Sequence, residues 1–266
     1  MKTDPEGTMI EAPSTALAER AANGQSLTVP PDYVPVAGLN DLSPDDFTLP
    51  TLKLTQAQST QEDADKNLGK WYRRDTGEYY TNPNLLILGI AKSRVMFPAE
   101  YSGDSEPLCR SDNSQQPRAE YIGSEIDYKG SGAVIGDACA DCPFSRWGDN
   151  DEPPPCTLTE NWAALTDNGD PVIIRLSRSG AKASSQLKNL SRAAALKKRP
   201  MYINLSSRSE TGKRGRYYVP VISTADNPPS EELLSVAKSL VGINLAARAA
   251  ESVDQADAVE GEAHPF

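Results

Sequence analysis

The pattern that most constrains the fold is a series of strand-like segments interrupted by one amphipathic helix. Residues 69–81 predict a hairpin with a Gly-containing turn, and residues 85–97 form a long apolar run suited to a buried strand. A second hairpin is predicted over residues 161–176, where Asn168 and Gly169 are a strong turn signal. Segments of this kind indicate a fold built around a β-sheet.

The helix is predicted over residues 179–198 and ends before Pro200, which cannot continue it. Its apolar face consists of Ala183, Leu187, Leu190 and Ala194. Residues 201–222 then form a closing hairpin with a basic tip. Three strands, one helix and two more strands is the order of an OB-fold, a five-stranded Greek-key barrel. We therefore predict a mainly β (α+β) chain with an OB-fold-like barrel and its helix between strands 3 and 4. Another antiparallel barrel or sandwich with one helix is the alternative.

Charge and polarity predict the domain boundaries. Residues 1–47 carry eight acidic and two basic side chains, and residues 251–266 carry five acidic and no basic ones. Neither segment has enough apolar residues to order itself, so we predict a disordered acidic leader and a disordered acidic tail. The OB-fold-like domain is expected over 48–229 and a C-terminal helix over 230–250, where apolar residues recur at helical spacing.

All four cysteines lie in one segment, residues 99–160, which we predict to be an insertion in the domain. Cys139 and Cys142 have the spacing that lets two thiolates on a tight turn reach one ion, and four thiolates suit tetrahedral zinc. The insertion is poor in apolar residues, so a lobe of this kind needs a disulfide or a bound metal to be stable. We predict one structural Zn²⁺ whose ligands are Cys109, Cys139, Cys142 and Cys156. Two disulfides or free thiols are the alternatives.

Catalytic motifs are missing from the sequence. The one histidine, His264, lies in the acidic tail, and neither a P-loop nor a GxGxxG motif occurs. We therefore predict a protein that is not an enzyme, with a metal-dependent nuclease as an alternative. No run approaches the roughly 18 apolar residues of a membrane span, and the first residues do not resemble a signal peptide. These features predict a cytoplasmic protein.

The chain has a formal net charge of −10, yet residues 171–220 carry 12 basic side chains and one acidic side chain. Proteins that bind single strands combine cations that neutralise phosphates with rings on which bases stack. The predicted nucleic-acid-binding residues are Lys70, Trp71, Tyr72, Arg73, Arg74, Tyr80, Arg175, Arg178, Lys182, Lys188, Arg192, Tyr202, Arg208, Lys213, Arg214, Arg216 and Tyr218. Because neighbours in a strand face opposite sides, one ring of each adjacent aromatic pair is expected in the core. A merely solvated basic face is the alternative.

The last sixteen residues resemble the acidic C-terminal tip of bacterial single-stranded DNA-binding proteins, which ends in Pro-Phe. The Cys-rich insertion is similar to the zinc lobe of bacteriophage replicative single-strand-binding proteins, which pair an OB-fold with an acidic tail. The resemblance implies a phage protein that binds single-stranded DNA largely independently of sequence during replication, recombination or repair. It implies that the tip recruits replication and recombination proteins through Asp257, Glu260, Glu262, Pro265 and Phe266. A virion component or an inhibitor of a host enzyme, with a basic protein-binding face, is the alternative.

Overall fold

The chain is mainly β and folds around one curled, open sheet that resembles half of a barrel. The computed structural model describes residues 49–57, 59, 63–100, 105–149, 152–212 and 215–240. The predicted leader and tail, residues 1–47 and 251–266, lie outside these ranges.

The described ranges contain eleven strands and two α-helices. The strands are β1 (Thr51–Leu54), β2 (Trp71–Arg73), β3 (Tyr79–Tyr80), β4 (Asn84–Met96), β5 (Cys109–Ser111), β6 (Glu125–Ile126), β7 (Ala133–Val134), β8 (Thr157–Thr166), β9 (Pro171–Ser177), β10 (Tyr202–Gly212) and β11 (Gly215–Thr224). The helices are α1 (Ala181–Leu196) and α2 (Glu231–Ser239). The predicted hairpins and the predicted helix between them are therefore present, although β8 begins before the predicted residue 161.

The main sheet has the strand order β11-β10-β4-β8-β9-β1-β2-β3, and β5 pairs with the far end of β4. The neighbouring strands are antiparallel except β1 and β9, which pair in parallel through only Thr51–Ile173 and Leu52–Ile174. The register between β4 and β8 shifts between Ile87 and Gly89. A bulge of this kind bends the strand and increases its twist, which helps the long β4 curl the sheet.

The two sides of the curled sheet meet along a seam next to Tyr218. The Gln56 side chain donates a hydrogen bond from Nε2 to the Tyr218 carbonyl and accepts one at Oε1 from the Tyr218 N–H, both at 2.8 Å. Ser207 Oγ donates to the carbonyl of Gly69 near the same point. Side-chain hydrogen bonds therefore join the two sides where no strand pairing is described.

The main core fills the inside of the curled sheet. Trp162 and Trp71 lie at its centre with Leu85, Ile174 and Leu205. Helix α1 covers the open end of this core with Ala183, Leu187, Leu190 and Ala194, the apolar face expected from the sequence. The helix follows a 3₁₀ turn at Arg178–Gly180 and ends four residues before Pro200.

A buried polar network fixes α1 to β8. The Glu160 carboxylate, whose residue is 6% exposed, accepts hydrogen bonds from Ser184 Oγ and from Lys188 Nζ, the latter at 2.9 Å. Trp162 Nε1 donates to Ser184 Oγ at 2.8 Å. Polar side chains from one helix and one strand thus satisfy one another inside the protein.

Residues between β4 and β8 form a small lobe with its own core. Met96, Ile126, Ile135 and Phe144 pack there with two of the cysteines, Cys109 and Cys156. Strand β5 extends β4, and the β6–β7 hairpin forms a separate two-stranded sheet. The lobe is therefore rooted on the same two long strands that build the middle of the main sheet.

Helix α2 covers the other face of the sheet. Leu233 and Leu240 pack against Leu86, Leu165 and Ile173. Ser230 caps the helix, because its Oγ accepts from the Leu233 N–H at 3.1 Å. The predicted helix over 230–250 is described as far as residue 240. Within the described part of the chain, no helix combines the length and the apolar character needed to cross a bilayer.

Candidate nucleic-acid interface

A cleft of about 420 Å³ opens where β1 diverges from β9. Residues of β1, β4, β8 and β9 form its floor, and Tyr218 and Pro220 of β11 close one side. The lobe supplies the opposite side with Tyr128, Lys129 and the proline run 153–155. The cleft therefore lies between the curled sheet and the lobe.

Among the charged residues that line this cleft in the described part of the chain, cations predominate. They include Lys53, Lys129, Arg175 and Arg178, against the single carboxylate of Glu152. The N-terminal end of α1 also begins beside the cleft, where Ser179 and Gly180 line it, and a helix N-terminus carries a partial positive charge. The local charge is thus the opposite of the net charge of the chain.

Arg175 is the central cation of the cleft. Burial, followed by the nearby charges of Arg110 and Arg74, lowers the pKa of its guanidinium to about 10. The side chain still carries its charge at neutral pH.

Neutral polar side chains form the floor between the cations. Asn161 Nδ2 donates to Ser93 Oγ at 3.1 Å, across the β8–β4 pair. Asn161 also lies directly opposite Arg175 in the β8–β9 register, and Thr159 lies opposite Ser177. Asn161 and Ser93 are each 1% exposed and satisfy one another, whereas Thr159 and Ser177 are half-buried. The hydroxyls of these two residues can hydrogen-bond to sugars, phosphates and base edges.

Only part of the predicted set lies in this cleft. Arg175, Arg178 and Tyr218 line it, and Trp71 contributes to its inner wall. Trp71 is only 2% exposed and packs in the main core, so its ring faces are not available for stacking. Tyr72 instead packs against Tyr79, with ring centroids 5.0 Å apart.

Arg73 belongs to an ion-pair network. Its guanidinium contacts Asp75 at 2.9 Å and Asp170 at 2.8 Å, and the residue is 8% exposed. These hydrogen bonds, that of Asp75 foremost, hold the pKa of Arg73 above its usual value. Because two carboxylates already neutralise this cation, the structure assigns it to joining the β2–β3 turn to the β8–β9 turn.

The two other predicted tyrosines bond to carboxylates. The Tyr80 hydroxyl donates to Glu78 Oε2 at 2.6 Å. The Tyr202 hydroxyl donates to Asp167, and burial followed by this contact raises the pKa of Tyr202 to about 12. Both rings are half-buried against core clusters. They lie outside the lining of the cleft.

The remaining predicted cations are spread over several elements outside the cleft lining. Lys188 pairs with the buried Glu160, Lys70 donates to Asn67 at 2.9 Å, and Arg208 pairs with Glu210. Arg74, Lys182, Arg192 and Arg216 are exposed, and so are the paired cations Lys188 and Arg208. Lys213 and Arg214, at the tip of the β10–β11 hairpin, lie outside the described residues, as do the tail residues Asp257, Glu260, Glu262, Pro265 and Phe266.

The four cysteines gather in the lobe, and no disulfide joins them. Burial raises the pKa of Cys109 to about 11, with further contributions from Cys139 and Cys142. Burial likewise raises the pKa of Cys156 to about 12, and the other three cysteines add to this shift. The four thiols are therefore close enough to affect one another. Among the described residues, however, no three His, Cys, Asp or Glu side chains are arranged as a metal-binding group.

Several residues of the cleft were not predicted from the sequence. They are Lys53, Phe97, Tyr128, Lys129 and Asn161. The two lysines lie outside the basic segment 171–220, and the rings lie in or beside an acidic insertion. The alternation of polar residues along β8, Thr157, Thr159 and Asn161, is the one sequence signal that could have identified this face.

Comparison with known proteins finds no family model, no curated protein and no solved structure that matches this chain.

Proposed function

We propose that the protein binds single-stranded DNA without catalysing a reaction, and that the cleft between the sheet and the lobe holds the strand. The observation that carries the proposal is the convergence of four cations, aromatic rings and neutral polar groups in this cleft. Phosphate neutralisation gives affinity that is independent of sequence and sensitive to salt. Stacking on exposed rings adds a term that tolerates any base.

The strand order supports an OB-fold interpretation of the half-barrel. The strands β4, β8, β9, β10 and β11 would be strands 1 to 5, with α1 between strands 3 and 4, and β1 inserted beside strand 3. In OB-folds the face of strands 2 and 3 binds oligonucleotides, together with the loops between strands 1 and 2 and between strands 4 and 5. Asn161 and Arg175 lie on these two strands, and the lobe occupies the first of these loops.

We also propose one structural Zn²⁺ bound by Cys109, Cys139, Cys142 and Cys156. The donor set fits, because four thiolates are a closed tetrahedral set and leave no position for a reacting water. The contributions of neighbouring cysteines to the raised pKa values of Cys109 and Cys156 support a shared site, although the four side chains are not arranged as a metal-binding group. Bound zinc would cross-link the lobe and would have no catalytic role.

The acidic tail extends the proposal to protein partners. The residues Asp257, Glu260, Glu262, Pro265 and Phe266 would recruit replication or recombination proteins in the cytoplasm of a bacterial host. This part of the proposal is supported by the sequence alone, because the tail lies outside the described residues. Recruitment of partners and DNA binding are separate properties and are tested separately.

The test is titration of fluorescent oligo-dT, followed by anisotropy at several salt concentrations. A double variant, Lys53→Gln with Arg175→Gln, removes two cleft cations. Its control, Arg192→Gln with Lys197→Gln, removes one exposed cation of α1 and one directly after it, both outside the cleft lining. Each phosphate contact with a single strand adds about 0.7 to the steepness of the plot of log affinity against log salt. Because the cleft variant lacks two cations, we expect its slope to be about 1.4 shallower, and the slope of the control to be unchanged.

The opposite results identify the alternatives. Equal slopes in both variants would remove the cleft from the binding site. No binding of oligo-dT at any salt concentration would favour the protein-interaction alternative. Cleavage of labelled DNA in the presence of Mg²⁺ or Mn²⁺ would favour a nuclease.

A further inference from the structure

The three tryptophans of the chain differ sharply in exposure. Trp71 and Trp162 are 2% and 1% exposed and belong to the main core, whereas Trp147 is 64% exposed. An indole has a large apolar area and usually finds cover in a folded protein. A single exposed apolar side chain is common at a protein surface, so the surroundings of Trp147 decide what it can contact.

Trp147 lies in the lobe between two points that are anchored to the cleft. On one side, the Phe144 ring packs edge-on against the Tyr128 ring, with centroids 6.0 Å apart. On the other side, the Gly148 N–H donates to the Glu152 carbonyl at 2.9 Å. Tyr128 and Glu152 both line the cleft. The loop that carries Trp147 therefore contacts two residues of the cleft lining, Tyr128 and Glu152.

Other contacts hold this loop in place. The Cys156 N–H donates to the Phe144 carbonyl at 3.0 Å, and Phe144 is buried in the lobe core. The neighbouring Arg146 contacts Asp141 at a long 3.7 Å and is largely exposed. An exposed ring on an anchored loop, with a cation beside it and four more in the cleft, has the two features that single-strand binding requires.

We propose that Trp147 is a stacking platform for an unpaired base at the rim of the cleft. The inference rests on the proposed function and adds to it the residue that contacts a base. The occupant is a base of single-stranded nucleic acid because the adjacent cleft is cationic and suits the phosphates that accompany the base. None of the predicted binding residues has this position.

The experiment follows one complex with two signals. Anisotropy of a labelled oligo-dT reports binding as such, and intrinsic tryptophan emission reports Trp147, because the other two indoles are buried. We expect unlabelled oligo-dT to quench the wild-type emission and to leave the residual emission of Trp147→Ala unchanged. Loss of one stacked base should weaken binding about 5- to 150-fold.

Two further variants separate stacking from other effects. Trp147→Phe keeps a smaller ring and should lose less affinity than Trp147→Ala. Ile122→Ala removes another exposed apolar side chain of the lobe, 46% exposed, and should bind oligo-dT like the wild type. Circular dichroism of each variant checks that the fold is retained.

The outcomes distinguish this inference from the proposed function. If anisotropy reports binding while the emission stays constant and Trp147→Ala binds like Ile122→Ala, the stacking role is refuted and DNA binding stands. If anisotropy reports no binding at all, both proposals are refuted. If the emission is quenched and only the Trp147 variants lose affinity, both are supported.

Discussion

Gly69 and Tyr218 together set the position of one wall of the cleft. Gly69 has a φ of +77°, and a Cβ built on it would lie 2.6 Å from Cδ1 and Cε1 of the Tyr218 ring. Gly77 has a nearly identical φ of +73°, but nothing lies within 4 Å of its Cβ position. The two glycines therefore share a backbone conformation and differ in their neighbours.

Alanine at each of these glycines should distinguish conformation from packing. Both Gly69→Ala and Gly77→Ala place a side chain at positive φ, which costs about 1–2 kcal/mol. Gly69→Ala should lower the free energy of unfolding by about 1–3 kcal/mol more, because it also displaces the Tyr218 ring. Urea denaturation measures both values, and oligo-dT binding should weaken only in Gly69→Ala. Equal losses of stability would mean that the ring moves without cost.

The basic segment identified Arg175 and Arg178, because strand alternation and charge are local signals. The role of Arg73 was not predictable, because its partner Asp170 lies 97 residues away in the sequence. Lys53 and Lys129 are single cations in unremarkable sequence, and only the folded chain brings them to the same cleft. The pairwise contacts that decide whether a cation is neutralised are long-range ones.

Among the secondary-structure elements, α1 depends on the buried carboxylate of Glu160. Burial raises the pKa of this carboxyl, but hydrogen bonds from Ser184 and Lys188 outweigh burial and hold the pKa below its usual 4.5. A group whose pKa is lowered on folding stabilises the protein above its unfolded pKa. That stability is lost as the pH falls through the lower, folded value.

Glu160→Gln should therefore lower the free energy of unfolding at neutral pH. It should also make that free energy depend less on pH in the acid range. We expect a loss of about 1–3 kcal/mol at pH 7, typical of hydrogen bonds to a charged group. The difference from the wild type should shrink as the pH falls below about 4.5, because the wild-type carboxylate is then progressively protonated. Urea unfolding at a series of pH values measures this difference.

The control for Glu160→Gln is Glu210→Gln. Glu210 contacts Arg208 and Tyr217 near the hairpin tip, and its side chain is 34% exposed, whereas that of Glu160 is 7% exposed. An exposed ion pair contributes little to stability, so this variant should remain within about 1 kcal/mol of the wild type. A loss as large as that of Glu160→Gln would contradict the importance assigned to burial.

The long strands and α1 follow from hydrophobic period, turn residues and Pro200, all of which act within a few residues. Strand β1 was not predicted, because its four residues are a weak local signal. Its partner is β9, more than a hundred residues later in the chain. The bulge at Ile87–Gly89 was also missed, since an apolar run does not reveal where its register shifts.

At the scale of the whole molecule, the lobe is attached to β4 and β8, two central strands of the main sheet. Cys109 lies opposite Met96 of β4, and Cys156 directly precedes β8. A metal bound by the four cysteines would therefore rigidify the lobe where it joins β4 and β8. Tyr128 and Lys129, the lobe residues that line the cleft, lie in the same lobe. The proposed metal and the proposed cleft are thus coupled.

Metal removal should act on both the lobe and the binding of DNA. We expect one zinc per chain by atomic absorption, and reaction of all four thiols with a thiol reagent only after chelation. Chelation should lower the melting temperature and weaken oligo-dT binding. The control is Ile122→Ala, which changes an exposed side chain of the lobe and leaves all four thiols in place. A metal-free protein with reactive thiols and full affinity would contradict the proposal.

The net charge of −10 was a poor guide to the surface, because acidic and basic residues are separated along the chain. The segment totals indicated a basic stretch over 171–220, from which the structure places Arg175 and Arg178 in the cleft lining. They did not reveal that an acidic insertion supplies Lys129 and Tyr128 to the same cleft. The placement of an insertion relative to its parent domain depends on tertiary contacts that have no local sequence signature.

The seam at Gln56 has a consequence for how a polymer would enter. A fully paired barrel with a central hole must be threaded from an end, whereas a groove beside an incompletely paired sheet is accessible from the side. A protein of this shape could settle onto the middle of a long strand, or onto a closed circle, and leave again without sliding to a terminus.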